Sequence, residues 1–205
     1  MSKIEEPIIN NLINTKYAYL ENKNKLIELY FEKEIIDLND SVDINTCKFE
    51  NIIFNKQNIG NIEDVLFINC DLSNMSFINS AIYRVKFINC KLLGTNFIDC
   101  DINDMTIIDS MCNYINIANN KLKNVQLINS NFKESTIMEC TTKNIIIDNI
   151  DFTSSEIINT SLKNIDLSNS KLNGIKTDMK SIKGMIIDYY QAIDLISLLG
   201  VKIKD

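Results

Sequence analysis

Cys47, Cys70, Cys90, Cys100, Cys112 and Cys140 are the side chains best equipped for chemistry, as nucleophiles, metal ligands or disulfide partners. Their setting argues against all three roles. No two form a C-x-x-C pair, and the chain contains no histidine to act as base or ligand. Five of them fall instead at one recurring position of a repeat described below, and Cys112 falls at another. They are expected to be reduced thiols packed as small hydrophobes.

The carboxylates and lysines give no catalytic pattern either. There is no glycine-rich phosphate loop, no metal-ligand spacing, and no serine or cysteine beside a plausible base. The reading is therefore of no enzyme, with no catalytic, cofactor-binding or metal-binding residue and no cofactor. Asp and Glu number 27 against 21 Lys and Arg, a formal charge of −6. That balance opposes direct binding to nucleic acid or to an anionic membrane, which needs a basic surplus. The opening MSKIEEPIIN lacks an apolar run of signal length, and no stretch of about twenty apolar residues occurs. A cytoplasmic protein is the expectation.

What must position these residues is a period of five. Leu, Ile or Phe recurs at Ile62, Phe67, Leu72, Phe77, Ile82, Phe87, Leu92, Phe97, Ile102 and Ile107, and onward with few lapses to Leu172. On an α-helix such a series rotates by roughly 140° per step and makes no stripe. On a flat strand, alternate members would face water. The chain must therefore bend every five residues to return each of these centres to one interior. Two residues before the centres stand small or apolar side chains: Val65, Cys70, Met75, Ser80, Val85, Cys90, Thr95, Cys100, Met105 and Ser110. Bulky and small members alternate with a ten-residue period, which implies an even number of sides per turn.

The pattern resembles the pentapeptide-repeat family. That resemblance implies an all-β solenoid, a right-handed quadrilateral β-helix in which residues twenty apart stack, Phe67 on Phe87 and Cys70 on Cys90. Some six coils at about 4.8 Å would give a rod of roughly 30 Å. Residues 1–43 are expected to form an N-terminal cap containing some helix, with Lys25 to Ile36 either a short helix or an irregular first coil. Repeat units fill 44–179, with a register slip at 55–61 around Gly60. Residues 180–205 carry a C-terminal α-helix that starts at Asp188 and stops at Gly200.

The ending, with Gly184, Ile187, Asp188, Gln191, Ala192, Leu198, Leu199 and Gly200, is similar to that of the quinolone-resistance branch of the family and its bacterial relatives. The resemblance implies a homodimer through the C-terminal helix. The apolar residues there cover more than the roughly 100° that one core needs. Tyr190, Ile193, Leu195, Ile196, Leu198, Leu199 and Val201 are the candidate dimer interface.

Two functional readings follow. One is a noncatalytic interaction or scaffold protein whose partner docks on outward apolar columns, Ile68, Ile88, Ile108 and Ile128 on one side and Ile78, Ile98, Ala118, Met138 and Ile158 on the opposite side. The other, implied by the resemblance, is a DNA mimic that binds DNA gyrase or topoisomerase IV, a type II topoisomerase, and protects against quinolones. Its candidate acidic face is Asp99, Glu139, Glu156 and Asp178. A duplex of about 30 Å carries roughly 17 to 18 negative charges, whereas residues 61–179 carry 14 acidic against 10 basic side chains, a net of −4.

Overall fold

The computed structural model describes residues 3–20, 24–38, 41–55 and 58–196. They form a parallel β-solenoid of about 8 turns, of the quadrilateral kind, closed by a short C-terminal helix. At about 4.8 Å per coil the rod is roughly 38 Å long, longer than the six coils expected.

The bends have one cause. At every fifth residue from Asp64 to Asn164, two positions after each centre, φ is positive, between 48° and 62°. This left-handed conformation costs most residues about 1–2 kcal/mol and is tolerated best by Gly, Asn and Asp. Most corner positions obey that preference, among them Asn69, Asn74, Asn79, Asn89, Gly94, Asp99, Asp104, Asp109, Asn119, Asn124 and Asn129, whereas Arg84, Tyr114, Glu134, Glu139 and Ser154 turn left without it. The five-residue period is thus a pair of signals, an apolar centre and a corner that can turn left.

Between corners, short strands pair in parallel at a twenty-residue register. Ala81–Ile88 pairs with Asp101–Ile108, and that with Lys121–Ile128. Two sides away, Ser76–Ile78, Asn96–Ile98 and Asn116–Ala118 pair in turn. The centres fill the interior. Phe31, Phe49, Phe67 and Phe87 stack with centroids 5.2, 5.1 and 5.0 Å apart and planes within 11° of parallel. Phe77 and Phe97 stack at 4.6 Å.

Of the two forms expected for Lys25 to Ile36, the structure has the irregular first coil and not the helix. Lys25–Ile27, Leu29–Glu32 and Ile35–Asp37 are strands, paired with residues of Val42–Glu50 and Ile53–Asn55. Their centres Leu26, Phe31 and Ile36 are buried, and their corners are Glu28 and Lys33, with φ of 56° and 53°. A coil therefore begins well before residue 44. Its register to the next coil is eighteen, as in Leu26 to Ile44 and Phe31 to Phe49. The step from Ile44 to Ile62 is also eighteen, so the shortened register recurs one coil later. Gly60 lies within strand Asn58–Ile68 at a bulge, since Val42 pairs with Ile59 but Ile44 with Ile62 and the Gly60 strand carries one extra residue between them. A Cβ there would meet Asp43 Oδ1 at 2.5 Å, and that carboxylate accepts the Asn61 N–H at 2.8 Å. The one helical element before residue 44 among the described residues is the 3-10 turn Tyr17–Tyr19, whose Tyr17 meets Phe31 edge-on and plugs the phenylalanine stack.

At the other end, helix α1 (Met179–Ile182) is capped by Asp178, which accepts from Lys180 and Ser181 N–H at 2.8 and 2.9 Å. Helix α2 (Tyr189–Ile196) starts on a reciprocal pair: Gln191 N–H donates to Asp188 Oδ1 and Asp188 N–H to Gln191 Oε1, both at 2.8 Å. The Gln191 side-chain amide then reaches into the last coil, donating to the carbonyls of Leu167 and Ser170. Leu195 packs into the same core.

Candidate interaction surfaces

All six cysteines are buried free thiols. Sulfurs of the inward column donate to backbone carbonyls: Cys70 to Ile68 and Phe49, Cys100 to Ile98 and Phe77. Burial pushes the Cys47 thiol up to about 12 and raises Cys100, Cys112 and Cys140 as well, so none of these four is poised as a nucleophile. Polar residues in the same inward columns serve the backbone. Ser110 Oγ accepts the Cys90 N–H, Thr160 Oγ1 accepts that of Cys140, and Asn120 Oδ1 accepts that of Cys100 while its amide donates to the Phe97 carbonyl. By residue type alone these positions are merely small. In the fold they are the places where the buried N–H just after a corner finds its acceptor.

The outward columns stack as expected. Ile68, Ile88, Ile108 and Ile128 are consecutive partners in register, bounded by Glu50 above and Asp148 below. Opposite, Ile78, Ile98, Ala118, Met138 and Ile158 run without a break. Each side chain covers the flank of the next, so most are half-buried; Ile78 is 48% exposed and Ala118 is 9% exposed.

The acidic residues are more dispersed. Asp99 and Glu139 occupy one corner column, separated by Asn119, and Glu139 accepts from the Asn159 amide. Glu156 sits in register beside Lys176. Asp178 is occupied as a cap: the Ser181 hydroxyl foremost, then the N–H groups of Asn159, Ser181 and Lys180, hold its carboxyl down at about 2. Elsewhere lysines of one coil lie near carboxylates of another, as Lys91 near Asp71 at 3.7 Å and Lys171 near Asp151 at 3.6 Å.

On the C-terminal helix the candidate interface residues divide. Leu195 is 8% exposed and seals the core, so it is not part of a free face. Tyr189, Tyr190 and Ile193 are 78%, 77% and 46% exposed, and Ile196 is half-buried. Leu198, Leu199 and Val201 lie outside the described residues, as does the expected stop at Gly200.

Two adjacent sides of the rod are split at one level. Among the described residues no backbone hydrogen bond joins strand Thr141–Asp148 to the coil beneath it, 161–168, although the two flanking sides stay paired. Side chains bridge the gap instead: Thr142 Oγ1 donates to the Ser161 carbonyl at 2.8 Å, Asn149 N–H donates to Asn169 Oδ1 at 3.2 Å, and the Asn169 amide donates to Asp148. Behind the seam lies an apolar cavity of about 40 Å³, lined in part by Ile145, Ile147, Phe152, Leu162 and Ile165. Thr142 occupies a centre, where Leu, Ile or Phe is the rule.

A model described as pentapeptide repeat region matches residues 60–127 and 80–149. No curated protein matches the chain. Among solved structures, full-length QnrB1, a plasmid-mediated fluoroquinolone resistance protein, is 18% identical over 92% of this chain and 95% of its own, with TM-score 0.34. Rfr23, a pentapeptide repeat protein from the cyanobacterium Cyanothece 51142, is 12% identical over 57% and 66%, with TM-score 0.29. HetL, involved in heterocyst differentiation regulation in the cyanobacterium Nostoc sp. strain PCC 7120, is 11% identical over 83% and 90%, with TM-score 0.24. Likenesses at these scores say nothing about partners. The matched repeat model, together with unbroken left-turning corners from Asp64 to Asn164, makes this chain a member of the pentapeptide-repeat family.

Proposed function

We propose that this is a noncatalytic scaffold of the cytoplasm that binds another protein along its outward apolar columns. The observation that carries the reading is the in-register run Ile68–Ile88–Ile108–Ile128, an apolar strip ended by the acidic side chains of Glu50 and Asp148. Family membership supports it, since pentapeptide-repeat proteins are generally noncatalytic structural or interaction proteins. Among the described residues no helix is long and apolar enough to cross a membrane. Changing Ile88 and Ile108 together to Lys should abolish capture of the partner while leaving circular dichroism and the melting curve intact. Undiminished capture would remove the reading.

The exposed Tyr189, Tyr190 and Ile193 support a twofold contact between C-terminal helices of two copies. Tyr190→Asp with Ile193→Asp should then yield a folded monomer by light scattering. An unmodified protein already monomeric at micromolar concentration removes the dimer.

A topoisomerase partner is the second reading. It draws on the corner column that carries Asp99 and Glu139, with Asp178 bonded to Asn159 of the same column. Interleaved lysines and the capping duty of Asp178 weaken the duplex-like field it needs. A supercoiling assay in which the protein neither inhibits gyrase nor relieves quinolone inhibition excludes it.

A further inference from the structure

Residues 3–10 form neither helix nor strand, yet they are pinned along the outside of the rod. The Ile8 N–H donates to Asp64 Oδ1 at 2.8 Å and the Glu5 N–H to Asp104 Oδ1 at 3.0 Å. Between them Glu6 accepts from Lys86 Nζ at 2.8 and 2.9 Å. Asp64 and Asp104 belong to one corner column and stand two coils apart, with Arg84 between them. The match is metric. Three residues of extended chain span about 10 Å at ~3.3 Å each, and two coils span about 9.6 Å at ~4.8 Å each.

The receiving face is built rather than incidental. Asp64 and Asp104 are 7% and 3% exposed although they occupy outward corners, and Thr106 beside them is 4% exposed. A buried carboxylate requires donors, and here backbone N–H groups supply them. Arg84, the only arginine of the chain, fixes the first acceptor: Nε and Nη2 bond Asp64 at 2.6 and 2.7 Å, Nη2 also bonds Glu63 at 2.8 Å, and the guanidinium lies 3.9 Å from the Tyr83 ring centroid. Two acceptors at fixed spacing and a cation between them read an extended backbone and one carboxylate.

We propose that the Asp64–Arg84–Asp104 column with Lys86 is a groove for extended peptides, occupied by residues 3–10 as a built-in competitor. Its external ligand is a segment of another protein with N–H groups three residues apart and a carboxylate between them, as Glu6 lies between Glu5 and Ile8. The site is separate from the apolar columns and does not depend on them.

Glu5→Pro with Ile8→Pro removes both N–H donors from the strap, keeps its backbone extended and leaves the groove untouched. Fluorescein-labelled peptide of residues 3–10, followed by anisotropy, should bind this full-length variant at least tenfold more tightly than it binds the unmodified chain. Adding Asp104→Ala to the variant should return binding to the unmodified level. Equal binding to strap-held and strap-released chains, or binding indifferent to Asp104→Ala, overturns the proposal. Should the double proline variant fail to fold by circular dichroism, Glu6→Lys, which sets like charges against Lys86, takes its place in the same titrations, and the same two results overturn the proposal.

Discussion

Two successive boundaries on the same two sides of the rod differ in how they are closed. Between Lys121–Ile128 and Thr141–Asp148 the backbone ladder is complete, with seven residues in register from Lys121–Thr141 to Ile128–Asp148. Between Thr141–Asp148 and 161–168 it is absent among the described residues, and Thr142, Asn149 and Asn169 side chains substitute. The corner at Asn164 is intact on the far bank, so lost bending is not the cause. The centre is. Thr142 stands where a larger apolar side chain fills the interior elsewhere, and the half-buried Ile145 and Ile147 beside it leave the cavity open. A solenoid coil is held by what lies inside it as much as by the ladder between coils.

The sharpest way to expose this contrast is truncation inside and at the seam. Phe87→Ala should cost about 3–5 kcal/mol in chemical denaturation, because Phe87 is fully buried and stacked on Phe67. Ile147→Ala, at a side chain only partly buried, should cost under half as much. Equal costs would mean the seam packs like the core. Next in size is Asn120→Leu. It strands the Cys100 N–H and the Phe97 carbonyl, each worth about 1–3 kcal/mol when buried without a partner, and the denaturation midpoint should fall accordingly. Hydrogen exchange should separate the two boundaries directly. Backbone amides of 145–147 are expected to exchange at least tenfold faster than those of 125–127, and Thr142→Val should widen the gap by removing the bond to Ser161.

The smallest effect is a titration. Asp178 braces the far bank through α1, since Ser181, which it caps, supplies the carbonyl that accepts the Leu162 N–H. The Asp178 carboxyl is depressed to about 2 chiefly by the Ser181 hydroxyl. A group whose folded value lies below its unfolded value of about 3.9 stabilises above that pH. Its contribution should be present above about pH 4 and vanish as pH falls to about 2. Asp178→Asn should flatten that part of the pH–stability curve, and an unchanged slope would show that the cap contributes nothing measurable.

Much of this is legible from residue types. Apolar centres at Ile62, Phe67, Leu72 and Phe77 require a bend every five residues, and the bend itself is written in Asn69, Asn74 and Asn79 two places on. The first coil is obscured for two physical reasons. Its corners are Glu28 and Lys33, which tolerate the left-handed conformation less readily than Asn, and its last step to the next centre is eight residues, from Ile36 to Ile44. Leu195 goes to the core instead of the interface because helical periodicity cannot say which apolar face meets the protomer's own last coil. The strap leaves no pattern at all, since backbone N–H groups of Glu5 and Ile8 make its contacts and every residue but proline has one. Thr142 is visible as a lapse, but a lapse predicts a weakness only once the neighbouring coil is known.

The buried thiols turn the rod into its own measuring scale. Cys47, Cys70, Cys90, Cys100, Cys112 and Cys140 lie at successive heights from near the first coil to the coil that borders the seam. Each is shielded until its own stretch of wall parts. Because thiolate is the reactive form and a buried sulfur is out of a reagent's reach, alkylation of each cysteine clocks local opening rather than native chemistry. Mass-spectrometric labelling of the unmodified chain would therefore report opening height by height, with Cys140 reacting first if the rod parts at the seam and Cys47 first if it frays from its amino-terminal coil.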